Sequence, residues 1–408
     1  MAYGIEKLQV YPMCLSLDIE ALCEARGRDY AGVARTIMAT ERGVVAPWED
    51  TVTLAVNAAH GLLDEETIAS VELLIVATET SVDQEKPVSS WVHRWLGTPS
   101  HCRNFEIKHA CYGGMAAIRM ALSWLRAQEG RPCRALVLCA DTSLSGLGEP
   151  YEPAFGACAA AILLSDTPDL LEIDPVRYGV SAIEVTDVTR PALGVETGND
   201  ETSVFTYLET LEAAWEDFLR RTGEAVSLDT AFKRHIYHLP FAGMALQAHR
   251  MLTGHALGLN RKAARAHFDQ RVAPGLVYSK RIGSSFSSST LHALLSQLDH
   301  ARGLVAGDPI SVFAYGSGSC AEFYEARIGA RAEERAKEAG LAALLDARRP
   351  LSLSEYEAAE RARIAAMGAR DHTPDHGIVP DWFDDRIAGS GLLVLERIDT
   401  YERIYRRA

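Results

Sequence analysis

FEIKHACYGGMAAIRMALSWL, residues 105–125, is the stretch on which the fold turns. From Met115 the apolar residues recur at three- and four-residue spacing (MAAIRMALSWLRAQ, 115–128), the period of an amphipathic helix. The residues before Cys111 are helix-friendly too, so one cysteine stands between two such segments, with Gly113 and Gly114 behind it. A thiolate at a helix start gains from the dipole and from free N–H groups of the first turn. The small glycines leave an acyl chain room to reach the sulfur. A small cysteine packed into a core fits the same residues equally well.

Working outward, short apolar runs read as buried strands: LLIVATE (73–79), ALVLCAD (135–141), AAAILLS (159–165), HIYHLP (235–240), ISVFAYG (310–316) and GLLVLERI (391–398). They alternate with helical patterns such as TLHALLSQLDHARGL (290–304), which points to a layered α/β protein. The order suggests a duplication. LLIVATET, the Cys111 helix, ALVLCAD and AAAILLS in the first half answer to HIYHLPF, helices, ISVFAYGSGS and GLLVLERI in the second. A charged, Ala-rich insertion at 326–368 reads as surface helices, with Ser352 or Ser354 capping the second. No Gly- or Ser-rich linker separates the halves, so they are expected to share one core.

The chain has 408 residues, 48% of them apolar and 24% charged, at globular averages. A net charge of −14 argues against nucleic-acid binding. No cationic, apolar leader opens the sequence and no run is long enough to span a bilayer, so a soluble, cytoplasmic protein is expected. The eight cysteines form no CxxC pair and are read as reduced; Cys139 and Cys158 look like buried strand residues. His109 and Cys111 have no matching ligand pair, so no metal site is expected.

Four stretches carry chemistry. In VATETSVDQEK (76–86), Glu79 leaves an apolar strand, as a solvated cap or as a base. HACYGG holds Cys111. In HIYHLPFAGMALQAHR (235–250), His238 ends a strand before a Leu-Pro turn, where a structural histidine is also common. FAYGSGSCAEF (313–323) is a strand running into a loop, Gly316 and Ser317 among its residues, able to present N–H groups to an oxyanion. Together they supply acid/base, nucleophile, imidazole and oxyanion donors.

In this order the motifs resemble the hydroxymethylglutaryl-CoA synthase family of the thiolase superfamily. GIEKLQVYPMCLSLDIEALCEARG (4–27) and ERGVVAPWEDTVTLAVNAAHGLL (41–63) resemble further family segments. ETGNDETSVFTYLETLEAAWEDF (196–218), HLPFAGMALQAHR and LERIDTYERIYRR (395–407) look closest to the polyketide branch, which installs β-carbon branches on carrier-bound chains. The resemblance implies a thiolase-like fold, two pseudo-duplicated α/β/α halves in five α-β-α-β-α layers, with residues 1–170 carrying Cys111 and 171–408 carrying His238. It implies a homodimer, and donor and acceptor acyl carrier proteins (or coenzyme A) as sources of a phosphopantetheine thioester, with no permanently bound cofactor. Cys111 would take the acetyl group, Glu79 would remove its methyl proton, and His238 would polarise the acceptor ketone. Gly316, Ser317, Ser284 and Tyr207 would line the oxyanion and substrate sites.

Three departures stand out. Ser284 occupies a position that is commonly asparagine in the family, His109 one that is often an acid, and MALQAHR lacks the lysines of coenzyme-A-using members. Between Lys233 and Arg281 lie nine Lys or Arg and a single acid, Asp269. Helix faces balanced by acids elsewhere would explain that window; so would a docking patch for an acidic carrier protein, with Arg250, Arg261, Lys262 and Arg265 at its centre. A coenzyme-A-dependent synthase and a thioester hydrolase are the alternative readings.

Overall fold

The computed structural model describes residues 2–144, 146–223 and 226–408. Its main sheet is built from β1 (Gly4–Tyr11), β2 (Val71–Ala77), β3 (Arg103–Ile107), β4 (Arg134–Thr142), β5 (Ala157–Ser165), β6 (Leu171–Ala182), β7 (Arg234–Tyr237), β8 (Pro309–Gly316) and β9 (Cys320–Ile328). Their order across the sheet is β7-β8-β9-β6-β1-β5-β4-β2-β3. β1 is antiparallel to β5 and β5 to β4, after which β4, β2 and β3 run parallel. β6 is antiparallel to β9 and β9 to β8, after which β8 and β7 run parallel. The same succession of four strands therefore occurs twice, with β3 an additional edge strand on the first half.

The two copies join at a seam between β1 and β6, where Gly4 faces Glu172 and Ile5 faces Leu171. The backbones approach so closely there that a Cβ on Gly4 would lie 2.0 Å from the Leu171 carbonyl oxygen.

The helices that matter here are α1 (Thr51–Ala58), α2 (Val88–Leu96), α3 (Gly113–Ala127), α4 (Asp200–Thr222), α5 (Met244–Leu257), α6 (Arg261–Arg271), α7 (Ser289–His300) and α8 (Leu353–Ala366). Strand alternation sets the layers. Leu73, Ile75 and Ala77 of β2 face the core shared with α3, while Leu74 and Val76 face a second core shared with α1 and α2. On the other half, Phe323 of β9 meets Trp215 and Phe218 of α4. The helices α3 and α7 lie in the middle, α1 and α2 outside one half-sheet, α4 and α5 outside the other. This is the five-layered, thiolase-like α/β fold. One apolar cluster draws Ile5, Val137 and Ile162 together with Ile236, Val312 and Phe323, so the halves share a core.

Three expectations need correction. GLLVLERI is not the third strand of the second half: Leu393–Asp399 pairs with Glu402–Arg407, and by a single bridge at Ile398 with His372, outside the main sheet, and β9 takes that place in the sheet. The segment before Cys111 is not helical but forms β3, the edge strand, whose β-branched and aromatic residues suit a pleated surface. The insertion begins only after Ile328, where β9 ends. It is also less peripheral than its charge suggests, because Tyr356, Glu360 and Arg363 of α8 are buried. Ser352 does cap that helix, in a capping box with Glu355.

At the seam a side chain would collide with main-chain atoms that cannot rotate away. Gly4→Ala is expected to cost about 1–3 kcal/mol by overpacking, read as a lower urea midpoint for unfolding. A comparable Gly→Ala change at Gly61, which has open space around it, tests the steric cause, since only the strain of its positive φ applies there.

Candidate active site

The carboxyl ends of parallel strands are where α/β sheets leave room for ligands, and here two such pairs point at one place. Glu79 follows β2 by two residues, and Asp141 lies near the end of its parallel neighbour β4. His238 follows β7 by one residue and Ser317 follows β8 by one.

Cys111 arrives from a third direction. After β3 the chain turns through Ala110, whose φ of 40° is left-handed, and Tyr112 then starts α3 with no side-chain cap. Instead, Ser287, in the short turn just before α7, supplies the cap. Its hydroxyl accepts the Gly114 N–H at 3.1 Å and donates to the Cys111 carbonyl at 3.0 Å. Gly114 is small for packing rather than for an acyl chain, since a Cβ there would meet Cys139 Sγ at 2.7 Å and Ser287 Cβ at 2.8 Å. Gly316 performs the same service on the opposite side, where a Cβ would lie 2.5 Å from the Tyr112 nitrogen. The Gly316–Ser317 turn is thereby pressed against the Cys111 turn. Tyr112 is also fixed through its hydroxyl, which donates to Glu322 at 3.0 Å, and Arg119 of the same helix donates to Glu322 at 2.6 Å.

Glu79 is held by its backbone while its acid group is left unpaired. The Glu79 N–H and the hydroxyls of Thr78 and Thr80 donate to Asp141 Oδ1 at 2.9, 2.9 and 3.0 Å. Glu79 Oε2 is buried and, among the described residues, has no hydrogen-bond partner. Burial, and next the neighbouring Asp141, push the Glu79 carboxyl above the ordinary carboxylate range. Of the two, Asp141 has three donors to stabilise its charge, so the proton of the pair sits on Glu79.

Cys111 is half-buried, and its thiol is pushed well above its ordinary value by burial, then by Glu79, Asp141, Glu196 and Asp187. The resting sulfur is therefore a thiol and not the thiolate that the helix start suggested. His109 does nothing to change this. Its ring packs edge-on against Tyr112 at 5.8 Å, and burial lowers its basicity.

His238 is 2% exposed. Its N–H donates to the Phe313 carbonyl at 2.7 Å, and Nδ1 lies 2.7 Å from Ser289 Oγ. Burial, with His292 nearby, lowers its pKa to about 3, so the ring is neutral. Tyr315 bridges the halves of the site: its ring lies 6.1 Å from that of His238, and Cys111 is among the groups that raise its pKa. The Tyr315 hydroxyl and the Gly318 N–H both donate to buried Asp187, each at 3.0 Å.

Two family models match the chain: the N-terminal part of hydroxymethylglutaryl-coenzyme A synthase over residues 2–169, and its C-terminal part over residues 254–408. The chain belongs to the hydroxymethylglutaryl-CoA synthase family. It is 33% identical to the polyketide biosynthesis 3-hydroxy-3-methylglutaryl-ACP synthase PksG of Bacillus subtilis (strain 168), over 99% of this chain and 98% of PksG. The hydroxymethylglutaryl-CoA synthase of Enterococcus faecalis is 31% identical over 88% of this chain and 91% of that enzyme. The crystal structure of the curacin biosynthetic pathway HMG synthase in complex with holo donor-ACP superposes with a TM-score of 0.94 at 33% identity, covering 100% of both chains.

Within this synthase fold the remaining expected residues fall in different places. Tyr207 is 1% exposed and its hydroxyl donates to the His238 carbonyl at 2.8 Å, so it braces His238 from behind. Ser284 is buried, and its N–H donates to the Ala154 carbonyl at 2.9 Å. Arg261 and Lys262 are exposed at the start of α6, and among the described residues neither has an ion-pair partner. Arg250 on α5 is half-buried, and Arg265 is paired with Asp269 at 2.8 Å. Arg271 and Arg281 of the same basic window are spent on Asp229 and on Glu41 and Asp346.

Sequence reading missed Asp141, Asp187, Ser287 and Ser289. Only the last two left a signal, the serine run SSFSSS (284–289) at the start of a helical pattern.

A base must shed its proton before it can work. The condensation rate is thus expected to rise with pH through an ionisation above the ordinary carboxylate range. Asp141→Asn removes a charge that raises Glu79, so it should move that inflection to lower pH. Rates measured on pre-acetylated enzyme across pH 5–9 check both; an unmoved inflection would assign it to another group.

Proposed function

We propose that this enzyme builds a branched 3-hydroxy-3-carboxymethyl acyl chain on an acyl carrier protein, acting in polyketide β-branching. The observation that carries the chemistry is the convergence of an unpaired, protonatable carboxyl, a cysteine and a neutral imidazole at the ends of strands and a helix. The relatives that act with carrier proteins support the choice of partner.

In the first step the Cys111 sulfur attacks the carbonyl of an acetyl thioester, and the carrier's phosphopantetheine thiol leaves with a proton. Ionised Glu79 then takes a proton from the methyl group of acetyl-Cys111. The resulting enolate carbon adds to the β-ketone of the acceptor, which His238 holds by a hydrogen bond. The proton on Glu79 returns to the new alkoxide, so the carboxylate is restored. Water cleaves the thioester to Cys111, leaving a free carboxylate on the product. Tethering both partners makes carbon–carbon bond formation effectively unimolecular. The N–H groups around Cys111 and Ser317 are the donors for the thioester oxygen.

No helix among the described residues is long and apolar enough to cross a membrane. We place the enzyme in the cytoplasm, where its cysteines, all free, stay reduced. We divide it into residues 1–170, which supply Glu79 and Cys111, and 171–408, which supply His238 and Ser317; the repeated strand order supports that division. The open side of β3 suits the proposed homodimer. Arg250, Arg261, Lys262 and Arg265 form the proposed carrier-docking patch, with Arg261 and Lys262 the freest of the four.

Intact-mass measurement with acetyl-carrier protein and acetyl-coenzyme A offered together tests the donor. An acetyl adduct should appear faster from the carrier protein and be absent in Cys111→Ala. Faster labelling from coenzyme A would overturn the carrier-dependent reading in favour of a coenzyme-A-dependent synthase. Release of acetate without branched product would mark a hydrolase. Glu79→Ala should acetylate normally yet lose condensation by about 10²–10⁴-fold.

The docking patch has its own test. The pair Arg261→Glu and Lys262→Glu should lower kcat/KM for the donor carrier by about tenfold at low salt, with the gap closing as salt rises. Labelling by acetyl-coenzyme A should be unaffected.

A further inference from the structure

We propose that Ser289 fixes the tautomer of His238, keeping the ring hydrogen on Nε2 so that the imidazole can only donate to the acceptor ketone. Ser289 is a positioning residue: it acts through His238. The inference rests on the reading of His238 given above and deepens it.

The argument is a count of hydrogens. Ser289 Oγ lies 2.7 Å from His238 Nδ1 and accepts the Leu239 N–H at 3.2 Å. A serine hydroxyl has one hydrogen to give and two lone pairs. If Nδ1 carried the ring hydrogen, Oγ would accept twice and its own hydrogen would need a third partner. Among the described residues this hydroxyl has only the two partners named, and Ser289 is fully buried. That arrangement strands a buried donor, which native structures avoid. If Ser289 donates to Nδ1 instead, both the hydroxyl and Nδ1 are satisfied and the ring hydrogen must sit on Nε2.

The ring has little freedom to escape this choice. The His238 N–H and carbonyl are both engaged, with Phe313 and with Tyr207, and Leu239 is held by the same hydroxyl. Tyr207 and Tyr315 lie against the imidazole, with ring centroids at 6.3 and 6.1 Å. With Nε2 protonated and Nδ1 occupied, His238 has no lone pair to offer a substrate. It therefore cannot compete with Glu79 for the methyl proton, and the two roles stay on separate residues.

Full-length enzyme labelled with [15N]histidine gives ring-nitrogen shifts in two-bond 1H–15N spectra, and His238→Gln identifies the signals of His238. The expected result near neutral pH, without substrate, is a protonated Nε2 and an unprotonated Nδ1. In Ser289→Ala that preference should be lost and the condensation rate on acetyl-Cys111 should fall about 10²-fold. Acetylation of Cys111 should stay within about twofold of the unaltered rate, and Ser289→Thr should restore both spectrum and condensation. A protonated Nδ1 in the unaltered enzyme would overturn the proposal, and that spectrum decides even if Ser289→Ala does not fold. Condensation at full rate in Ser289→Ala, or equal losses of acetylation and condensation, would overturn it as well. The spectrum is free of substrate, so failure of the tautomer shows there, whereas failure of the ketone-polarising role shows only in condensation.

Discussion

The Ser287 hydroxyl ties together the N-terminal ends of the two buried helices in the middle layer, and the site hangs on that knot. By accepting from Gly114 and donating to the Cys111 carbonyl, it locks the cysteine turn to the start of α7. Two residues on, Ser289 takes hold of His238. Nucleophile and imidazole, 127 positions apart in the chain, are thus set by one turn of helix. The electrostatics that follow are decided by magnitude. A helix N-terminus favours an adjacent anion by roughly 0.3–1 kcal/mol. Against it stand burial and the nearby acids Asp141, Glu196 and Asp187, with Glu79 joining them whenever it is ionised, and these prevail, since the Cys111 thiol is pushed up. The enzyme rests with its sulfur and its base both carrying protons, which keeps uncompensated charge out of a largely buried site.

The repeated strand order gives this arrangement its logic. β2 and β7 occupy equivalent places in the two halves, as do β4 and β8. Glu79 and His238 follow the first pair; Asp141 and Ser317 stand at the ends of the second. Proton transfer and carbonyl polarisation are therefore two specialisations of one position. The neighbouring strand supports each: Asp141 receives the Glu79 backbone, and Phe313 of β8 receives that of His238.

How much of this was legible beforehand depended on whether the signal was local. Buried parallel strands are continuous apolar runs, so LLIVATE and ALVLCAD were plain, and the helix after Cys111 announced itself by its period. The edge strand β3 was missed because FEI is short and carries a charge, as edge strands do. GLLVLERI was assigned to the wrong sheet, since an apolar run declares a strand and says nothing of its partner. In the site, Glu79, Cys111 and His238 could be found because each lies in a motif whose order along the chain resembles the family's. Asp141 could not, for an acid closing a buried strand looks like any strand exit until Thr78 and Thr80 are seen to point at it. The thiolate expectation failed for a similar reason: the dipole is visible in sequence, whereas four distant acids are not.

The helix α8 is anchored more deeply than its composition implies. Arg26 grips Glu152 through two hydrogen bonds of 3.0 Å, and Tyr356 of α8 donates to the same carboxylate at 3.2 Å. Arg363, farther along α8, reaches the Ser143 carbonyl at 2.6 Å. Glu152 opens the short turn that ends in Ala154, whose carbonyl holds Ser284. Buried ion pairs of this kind add little net stability, and their value lies in fixing one arrangement over others. The result is a strut running from a late, Ala-rich segment to the backbone that holds Ser284. Tyr356 and Ser284, 72 positions apart in the chain, are thus both held by residues 152–154.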